Sequence, residues 1–234
     1  MSTNIRKQTQ QKYTGVAYQR KRRKQRGRRR GMLIAVIVGL AIVALGGIFF
    51  FNTRGSSENT ARQTGTYPFQ IGSPGPGEPA PDFSLASTTG SRFTLAALHG
   101  KTVLLYFQEG LTCQPCWDQL KDIQTHQQDF EKLGITQIVS ITTDPLDALQ
   151  QKVADEGLTI PVLSDPDLAV SGSYTANSYG MMGKSRDGHT FVLVGPDGRI
   201  RWRADYGGAP KYIMDVPVPN LLADIQAGLK RKMS

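Results

Sequence analysis

Residues 102–117 read Thr-Val-Leu-Leu-Tyr-Phe-Gln-Glu-Gly-Leu-Thr-Cys-Gln-Pro-Cys-Trp. The first six residues form a continuous apolar run as long as a strand, and this pattern predicts a strand buried in the middle of a sheet. Cys113 and Cys116, the only two cysteines in the chain, follow it at Cys-x-x-Cys spacing. The stretch therefore predicts a buried strand that leads into a redox-active dithiol at the start of a helix.

The basic charge of the chain is concentrated at its N-terminus. The formal net charge is +9, and residues 1–31 hold twelve Lys or Arg and no acidic residue. The remaining residues carry 16 basic and 19 acidic side chains, so their net charge is slightly negative. We therefore treat residues 1–31 as a separate basic arm, and the charge asymmetry belongs to that arm.

Residues 32–51 contain no charged side chain. Twenty residues in a helix that rises about 1.5 Å per residue match the roughly 30 Å hydrocarbon core of a bilayer. The basic arm before this segment predicts a cytoplasmic N-terminus. We therefore expect a single-pass protein of the plasma membrane, with residues 32–51 as the transmembrane helix and the redox domain outside the cytoplasm.

Other interpretations of this N-terminal region remain open. A cleaved signal peptide is one, although no Ala-x-Ala site follows Phe51. The arginine cluster also weakly resembles a twin-arginine export signal. A basic arm could bind nucleic acid, but its place beside an apolar span favours a role in topology, and we predict no nucleic-acid partner.

The rest of the chain divides into a linker and one globular domain. Residues 52–79 are rich in Gly, Ser, Thr and Pro and predict a flexible linker. In the domain, residues 80–234, apolar periodicity and turn signals predict strands at 83–85, 92–95, 102–107, 135–141, 160–163, 190–194 and 199–203. Helices are predicted at 113–133, from Asp144 as N-cap to about 157, and at 217–230. This alternation predicts a three-layer α/β fold around a sheet of mixed strand direction.

Several stretches of this domain resemble the redoxin form of the thioredoxin fold. They are Ala80-Pro-Asp-Phe-Ser-Leu85, residues 98–107, the Cys-x-x-Cys helix, Leu163-Ser-Asp-Pro-Asp167 and residues 190–200. The pattern is similar to the superfamily that joins membrane-anchored thiol–disulfide oxidoreductases with the peroxiredoxins of the alkyl hydroperoxide reductase and thiol-specific antioxidant type. The resemblance implies a thioredoxin-like fold and thiol redox chemistry.

The chain departs from both branches of that superfamily. A peroxiredoxin's peroxide-binding loop has Pro, three residues, Thr or Ser, two residues and then Cys. Counting back from Cys113 meets Gly110 and Tyr106 instead, and counting back from Cys116 meets Cys113 and Glu109. Oxidoreductases of the thioredoxin type carry Trp before the first Cys and a cis-Pro before the facing strand. Thr112 and His189 stand at those places here.

The predicted catalytic residues are Cys113 and Cys116. A helix N-terminus stabilises a thiolate at Cys113, so this residue is the expected nucleophile. The spacing of three residues brings Cys116 alongside to resolve a mixed disulfide. A structural disulfide is the alternative, but a loop this short stabilises little. A zinc site would need about four ligands, and the chain has one cysteine pair, so we predict no metal and no cofactor.

Six further residues are candidates for supporting roles: Thr112, Pro115, Trp117, His189, Arg186 and Glu109. Pro115 suits the first helical turn, and Trp117 is expected to pack beneath the dithiol. His189 could move a proton or be an exposed loop residue. Arg186 could be the guanidinium that peroxiredoxins place near the reactive cysteine. Glu109 could accept a proton from Cys116 or be a solvated loop acid.

The sequence leaves the reaction open between two enzymes. A thiol–disulfide oxidoreductase would act on protein disulfides or dithiols. A thiol peroxidase would reduce hydroperoxides through a sulfenic acid on Cys113. Either enzyme would need an electron-donating thiol protein as partner. A binding protein with an incidental dithiol is a third possibility.

Overall fold

A computed structural model of the chain describes residues 67–231. The predictions for the basic arm, the transmembrane helix and residues 52–66 lie outside this part. Within it, no helix has the length and apolar character needed to cross a bilayer. The strands are β1 (Ser84–Ser87), β2 (Arg92–Thr94), β3 (Val103–Phe107), β4 (Gln137–Thr142), β5 (Val162–Ser164), β6 (Thr190–Val194) and β7 (Ile200–Asp205). The helices are α1 (Gln114–Thr125), α2 (Gln127–Lys132), α3 (Leu146–Asp155), α4 (Ala169–Ser173) and α5 (Val218–Arg231).

The seven strands form one mixed sheet in the order β2-β1-β5-β4-β3-β6-β7. The central strands β5, β4 and β3 run parallel, while β6 and β7 form the predicted antiparallel hairpin on one side. All five residues of β3 are buried, as expected for a strand with a neighbour on each edge and side-chain packing on both faces. The predicted α/β class and mixed sheet are confirmed.

Successive residues of β3 point to opposite faces of the sheet, and each face has its own core. Leu104 and Tyr106 pack with residues of α1, α3 and α5 on one face. Leu105 and Phe107 pack on the other face with residues that include Val170 of α4. Helices therefore cover both faces, which is the predicted three-layer arrangement.

Two details of the predicted helices are wrong. The expected single helix 113–133 is interrupted at His126, whose φ of −103° and ψ of 20° end α1, and a separate short helix α2 then buries Phe130. Asp144 is not an N-cap, because Pro145 occupies that position with an extended ψ of 144°. The Asp144 carboxylate is instead engaged by the loop that precedes Cys113.

The last part of the predicted linker lies against the domain. Gln70 and Asp205 exchange two backbone hydrogen bonds of 3.1 and 2.9 Å, and Phe69 packs edge-on against Trp202 and Tyr206. An isolated bridge joins Pro79 to Arg199 further along. The segment thus covers the outer edge of β7, where unpaired backbone groups would otherwise be exposed.

Candidate functional site

The dithiol lies just beyond the C-terminal end of β3. Cys113 and Cys116 form a disulfide with their Cα atoms 5.3 Å apart. Cys113 is the N-cap of α1, and its Sγ accepts a hydrogen bond of 3.3 Å from the Cys116 backbone N–H. Pro115 sits in the first turn, where a missing N–H costs nothing. The helix N-terminus therefore presents a positive partial charge to the Cys113 sulfur.

The disulfide is almost enclosed by protein. Cys113 is 5 % exposed and Cys116 is fully buried. Met214, from the segment between β7 and α5, packs with both cysteines in a small cluster of three sulfur-containing side chains. Met214 lies about a hundred residues from the cysteines along the chain, and no local pattern marks it as part of the site.

Thr112 and Trp117 flank the cysteines differently. Thr112 is exposed at the end of a short 3-10 helix, Gly110–Thr112. Trp117 is fully buried in the main core, and its Nε1 donates a 2.9 Å hydrogen bond to the carbonyl oxygen of Gly110. The indole therefore ties the first turn of α1 to the loop before it.

His189 is buried, so the interpretation as an exposed loop histidine is wrong. Its Nδ1 lies 3.0 Å from the hydroxyl of Tyr106, which donates a 3.3 Å hydrogen bond to the carbonyl oxygen of Cys116. Burial lowers the pKa of His189 to about 3 and raises the pKa of Tyr106 well above its ordinary value, so both groups are neutral at pH 7. Among the described residues, Nε2 of His189 has no hydrogen-bond partner.

Tyr106 was not among the predicted site residues. Its place in an apolar strand predicts core packing, and it does stack on Phe191 with ring centroids 4.5 Å apart. Only the paired strands β3 and β6 bring its hydroxyl to His189. A hydroxyl-bearing tyrosine within the run 102–107 is the sole hint in the sequence.

Glu109 is 2 % exposed, so it is not a solvated loop acid. Its carboxylate accepts the backbone N–H groups of Met181 and Met182. The described contacts therefore give Glu109 a role in holding the segment that contains the exposed Met181 and Met182. None of the described hydrogen bonds of Glu109 reaches a cysteine.

The hydrogen bonds of Arg186 connect Asp144 with the loop before the dithiol. Its Nη1 donates to Asp144 Oδ1 at 2.8 Å and to the backbone oxygen of Glu109 at 3.0 Å. The predicted contact between this guanidinium and the reactive cysteine is not among them.

A second buried acid, Asp187, lies two residues before His189. Burial raises the pKa of its carboxyl well above the ordinary value, the nearby Ser171 hydroxyl opposes this rise, and the charges of Asp165 and Asp144 add a smaller increase. By hydrogen-bond geometry both carboxyl oxygens lack partners among the described residues, because the Ser171 hydroxyl donates to Asp165. Within the same part of the chain, no group of His, Cys, Asp or Glu side chains is arranged to hold a metal ion.

The family follows from a comparison with known proteins. A sequence model of the AhpC/TSA family matches residues 76–203, a span that contains the dithiol, β1 to β6 and most of β7. The chain belongs to the AhpC/TSA family. This membership confirms the predicted redoxin domain, and the prediction of a thiol-based oxidoreductase enzyme is confirmed with it.

The AhpC/TSA domain resembles members from both branches considered above. A Mycobacterium tuberculosis protein named as a peroxiredoxin is 36 % identical over 131 residues, which cover 53 % of this chain and 81 % of that protein. Peroxiredoxin Bcp of Escherichia coli is 29 % identical over 127 residues, with the same coverage. Thiol–disulfide oxidoreductase ResA of Bacillus subtilis is 27 % identical over 124 residues, covering 53 % of this chain and 64 % of ResA.

Solved structures confirm the fold of the AhpC/TSA domain. Peroxidoxin BcpB from Mycobacterium tuberculosis superimposes with a TM-score of 0.55 at 21 % identity, covering 65 % of this chain and 97 % of that one. A mitochondrial 2-Cys peroxiredoxin from Plasmodium falciparum gives 0.53 at 16 % identity, covering 68 % and 96 %. At these identities the likeness concerns the fold alone.

Proposed function

We propose that the chain is a thiol–disulfide oxidoreductase in which Cys113 attacks and Cys116 resolves. The observation that carries the proposal is the position of Cys113 as the N-cap of α1, bonded to Cys116 across the first turn. This geometry stabilises a Cys113 thiolate and keeps the second sulfur within bonding reach.

The proposed reaction transfers two electrons. The Cys113 thiolate attacks a substrate disulfide, which forms a mixed disulfide and releases one substrate thiolate. Cys116, as a thiolate, then attacks the Cys113 sulfur, forms the Cys113–Cys116 disulfide and releases the second substrate thiol. An electron-donating thiol protein of lower reduction potential returns the pair to the dithiol form by the reverse exchange.

The second candidate is a thiol peroxidase, which the peroxiredoxin names of several relatives favour. In this reaction the Cys113 thiolate takes an oxygen atom from a hydroperoxide and becomes a sulfenic acid, and the alcohol or water leaves. Cys116 then condenses with the sulfenic acid and releases water. Two observations argue against this candidate. The loop before Cys113 lacks the spacing of Pro and Thr or Ser that peroxiredoxins place before the reactive cysteine. The guanidinium of Arg186 is bonded to Asp144.

A matched pair of variants of the full-length protein separates the candidates. Reduced Cys116→Ser protein should accumulate a mixed disulfide with a labelled disulfide peptide, and Cys113→Ser protein should not. The same samples receive hydrogen peroxide, and sulfenic acid is trapped with a dimedone-type reagent. If peroxide consumes the Cys113 thiol faster than the peptide does, the peroxidase replaces the leading proposal.

We also propose that residues 32–51 anchor the protein in the plasma membrane, with the dithiol outside the cytoplasm. The twenty uncharged residues behind a basic arm support this topology. In intact cells a membrane-impermeant maleimide should label the reduced cysteines, and alkaline carbonate should fail to extract the protein. Extraction of the full-length chain, or labelling only after lysis, would reject the anchored topology.

A further inference from the structure

The loop before the dithiol runs directly into Cys113. Glu109 is the N-cap of the 3-10 helix Gly110–Thr112. Cys113 is both the C-cap of that helix and the N-cap of α1. One residue, with φ of −108° and ψ of 86°, therefore joins the two helices. A shift of the loop would turn the Cys113 side chain away from the N–H groups of α1.

Asp144 holds this loop from the side of β4. Its carboxylate is buried, and Oδ2 accepts the backbone N–H of Leu111 at 2.8 Å and the hydroxyl of Thr142 at 3.0 Å. Gly110 packs directly on the same carboxylate, because a Cβ atom at Gly110 would come within 1.7 Å of Oδ2. The loop thus rests on Asp144 without intervening space.

Arg186 completes the support. Its Nη1 bonds Asp144 Oδ1 and also the backbone oxygen of Glu109, so one guanidinium connects the buried carboxylate to the start of the loop. Hydrogen bonds to charged groups contribute more than neutral ones, and this pair is largely shielded from water. The loop is therefore attached to the ion pair at Glu109 and at Leu111, on either side of Gly110.

We propose that Arg186 and Asp144 are positioning residues that keep Cys113 at the N-terminus of α1 and thereby set its thiolate stability. Neither side chain is bonded to a cysteine, so they act through the backbone of residues 109–112. The inference rests on the proposed role of Cys113 as the attacking thiol. It holds whether the thiol meets a disulfide or a hydroperoxide.

Loss of the pair should change the chemistry of the dithiol and not only the stability of the fold. In Arg186→Met the loop loses the bond at Glu109, and Asp144 keeps a buried charge without its cation. Cys113 then samples orientations away from the helix N-terminus, which raises the pKa of its thiol. A rise of one pKa unit lowers the thiolate fraction by about tenfold at a pH well below the pKa, and by less at a pH near or above the pKa.

The experiment measures the Cys113 thiol pKa in the full-length protein from the pH dependence of alkylation, and the Cys113–Cys116 reduction potential against glutathione. Arg186→Met and Asp144→Asn should each raise the measured pKa by about one unit, slow alkylation at pH 7 by up to about tenfold and lower the reduction potential. Arg201→Met is the matched control, because Arg201 pairs with Asp197 at 3.0 Å and has similar exposure, 35 % against 26 % for Arg186. Arg201 lies near the β6–β7 turn at the other end of the sheet and should leave both values unchanged.

Two further variants make the result decisive. Arg186→Lys retains a cation beside Asp144 and should restore much of the alkylation rate, which a purely steric role would not predict. The double variant Arg186→Met/Asp144→Asn should lose no more than the more affected single variant, because the two residues act as a unit. If Arg186→Met does not fold, Asp144→Asn provides the same measurements.

Wild-type pKa and potential in folded Arg186→Met or Asp144→Asn protein would overturn the inference. This outcome differs from a failure of the proposed function. In that case the wild-type protein itself would show no rapidly alkylated thiol, or its rapid alkylation would survive in Cys113→Ser.

Discussion

The hydroxyl of Tyr106 connects His189 to the dithiol, lying 3.0 Å from His189 Nδ1 and 3.3 Å from the Cys116 carbonyl oxygen. The tautomer of His189 decides which of the two atoms donates in the bond between Nδ1 and the Tyr106 hydroxyl. Nε2 of His189 has no hydrogen-bond partner among the described residues. The buried hydrogen bonds that join His189, Tyr106 and the Cys116 carbonyl thus hold the backbone of Cys116 on the side away from solvent.

Tyr106→Phe should destabilise the protein by about 1–3 kcal/mol, because it leaves His189 Nδ1 without its buried partner. It should also shift the reduction potential, since the Cys116 carbonyl loses its donor. Urea unfolding and glutathione equilibration measure the two effects. Tyr174→Phe is the control: it removes another hydroxyl bond, to the Pro81 oxygen, and should leave the potential unchanged. Equal potentials in both variants would contradict the link to the dithiol.

His189 should make the fold sensitive to mild acid. The unfolded histidine titrates near pH 6.5, while burial lowers the folded pKa to about 3, so the unfolded state binds more protons between these values. The contribution of neutral His189 to the free energy of unfolding is complete above about pH 6.5. It falls as the pH drops and is about 2 kcal/mol smaller at pH 5. Urea unfolding at pH 5 and pH 7 should show this loss in wild type and a clearly smaller one in His189→Gln. Parallel losses in both proteins would rule out His189 as the source.

Asp187→Asn should stabilise the protein at pH 7 by about 1–2 kcal/mol, because an amide cannot ionise and avoids the cost of burying a carboxylate or of keeping the carboxyl protonated. The folded pKa of Asp187 is raised, so its unfavourable contribution grows as the pH rises above about 4, and the gain should disappear in acid. Thermal unfolding from pH 4 to 7 checks both points. Asp165→Asn should instead destabilise, because that carboxylate accepts the backbone N–H groups of Val170 and Ser171. A loss of stability in Asp187→Asn at pH 7 would show that the carboxylate has a stabilising partner.

Gly110→Ala should be far more damaging than Gly90→Ala, although both glycines have φ near +80°. A methyl group at Gly110 collides with the Asp144 carboxylate, whereas at Gly90 nothing lies within 4 Å. We expect a loss of about 1 kcal/mol for Gly90→Ala from backbone strain alone and more than about 3 kcal/mol for Gly110→Ala. Chemical unfolding gives both values, and similar losses would mean that the loop does not pack on Asp144.

Much of the fold was predictable because its signals are local. The β6–β7 hairpin follows from a Gly-Pro-Asp-Gly turn between the apolar run 190–194 and the alternating segment 199–203, and β3 follows from an uninterrupted run of strand length. The prediction of Asp144 as an N-cap was wrong although it also rested on a local signal, because Asp-Pro is typical of a helix start. The Asp144 carboxylate accepts the backbone N–H of Leu111 instead, and no local pattern indicates that donor.

The spacing of Cys113 and Cys116 at the mouth of a helix was readable from the sequence, because three residues of helix bring the two sulfurs together whatever surrounds them. The environment of that pair depends on contacts between distant segments. The Tyr106–His189 bond spans 83 residues, the Arg186–Asp144 bond 42 and the Leu111–Asp144 bond 33. Strand pairing and burial create these contacts, so only the folded domain determines which side chains hold the dithiol in place.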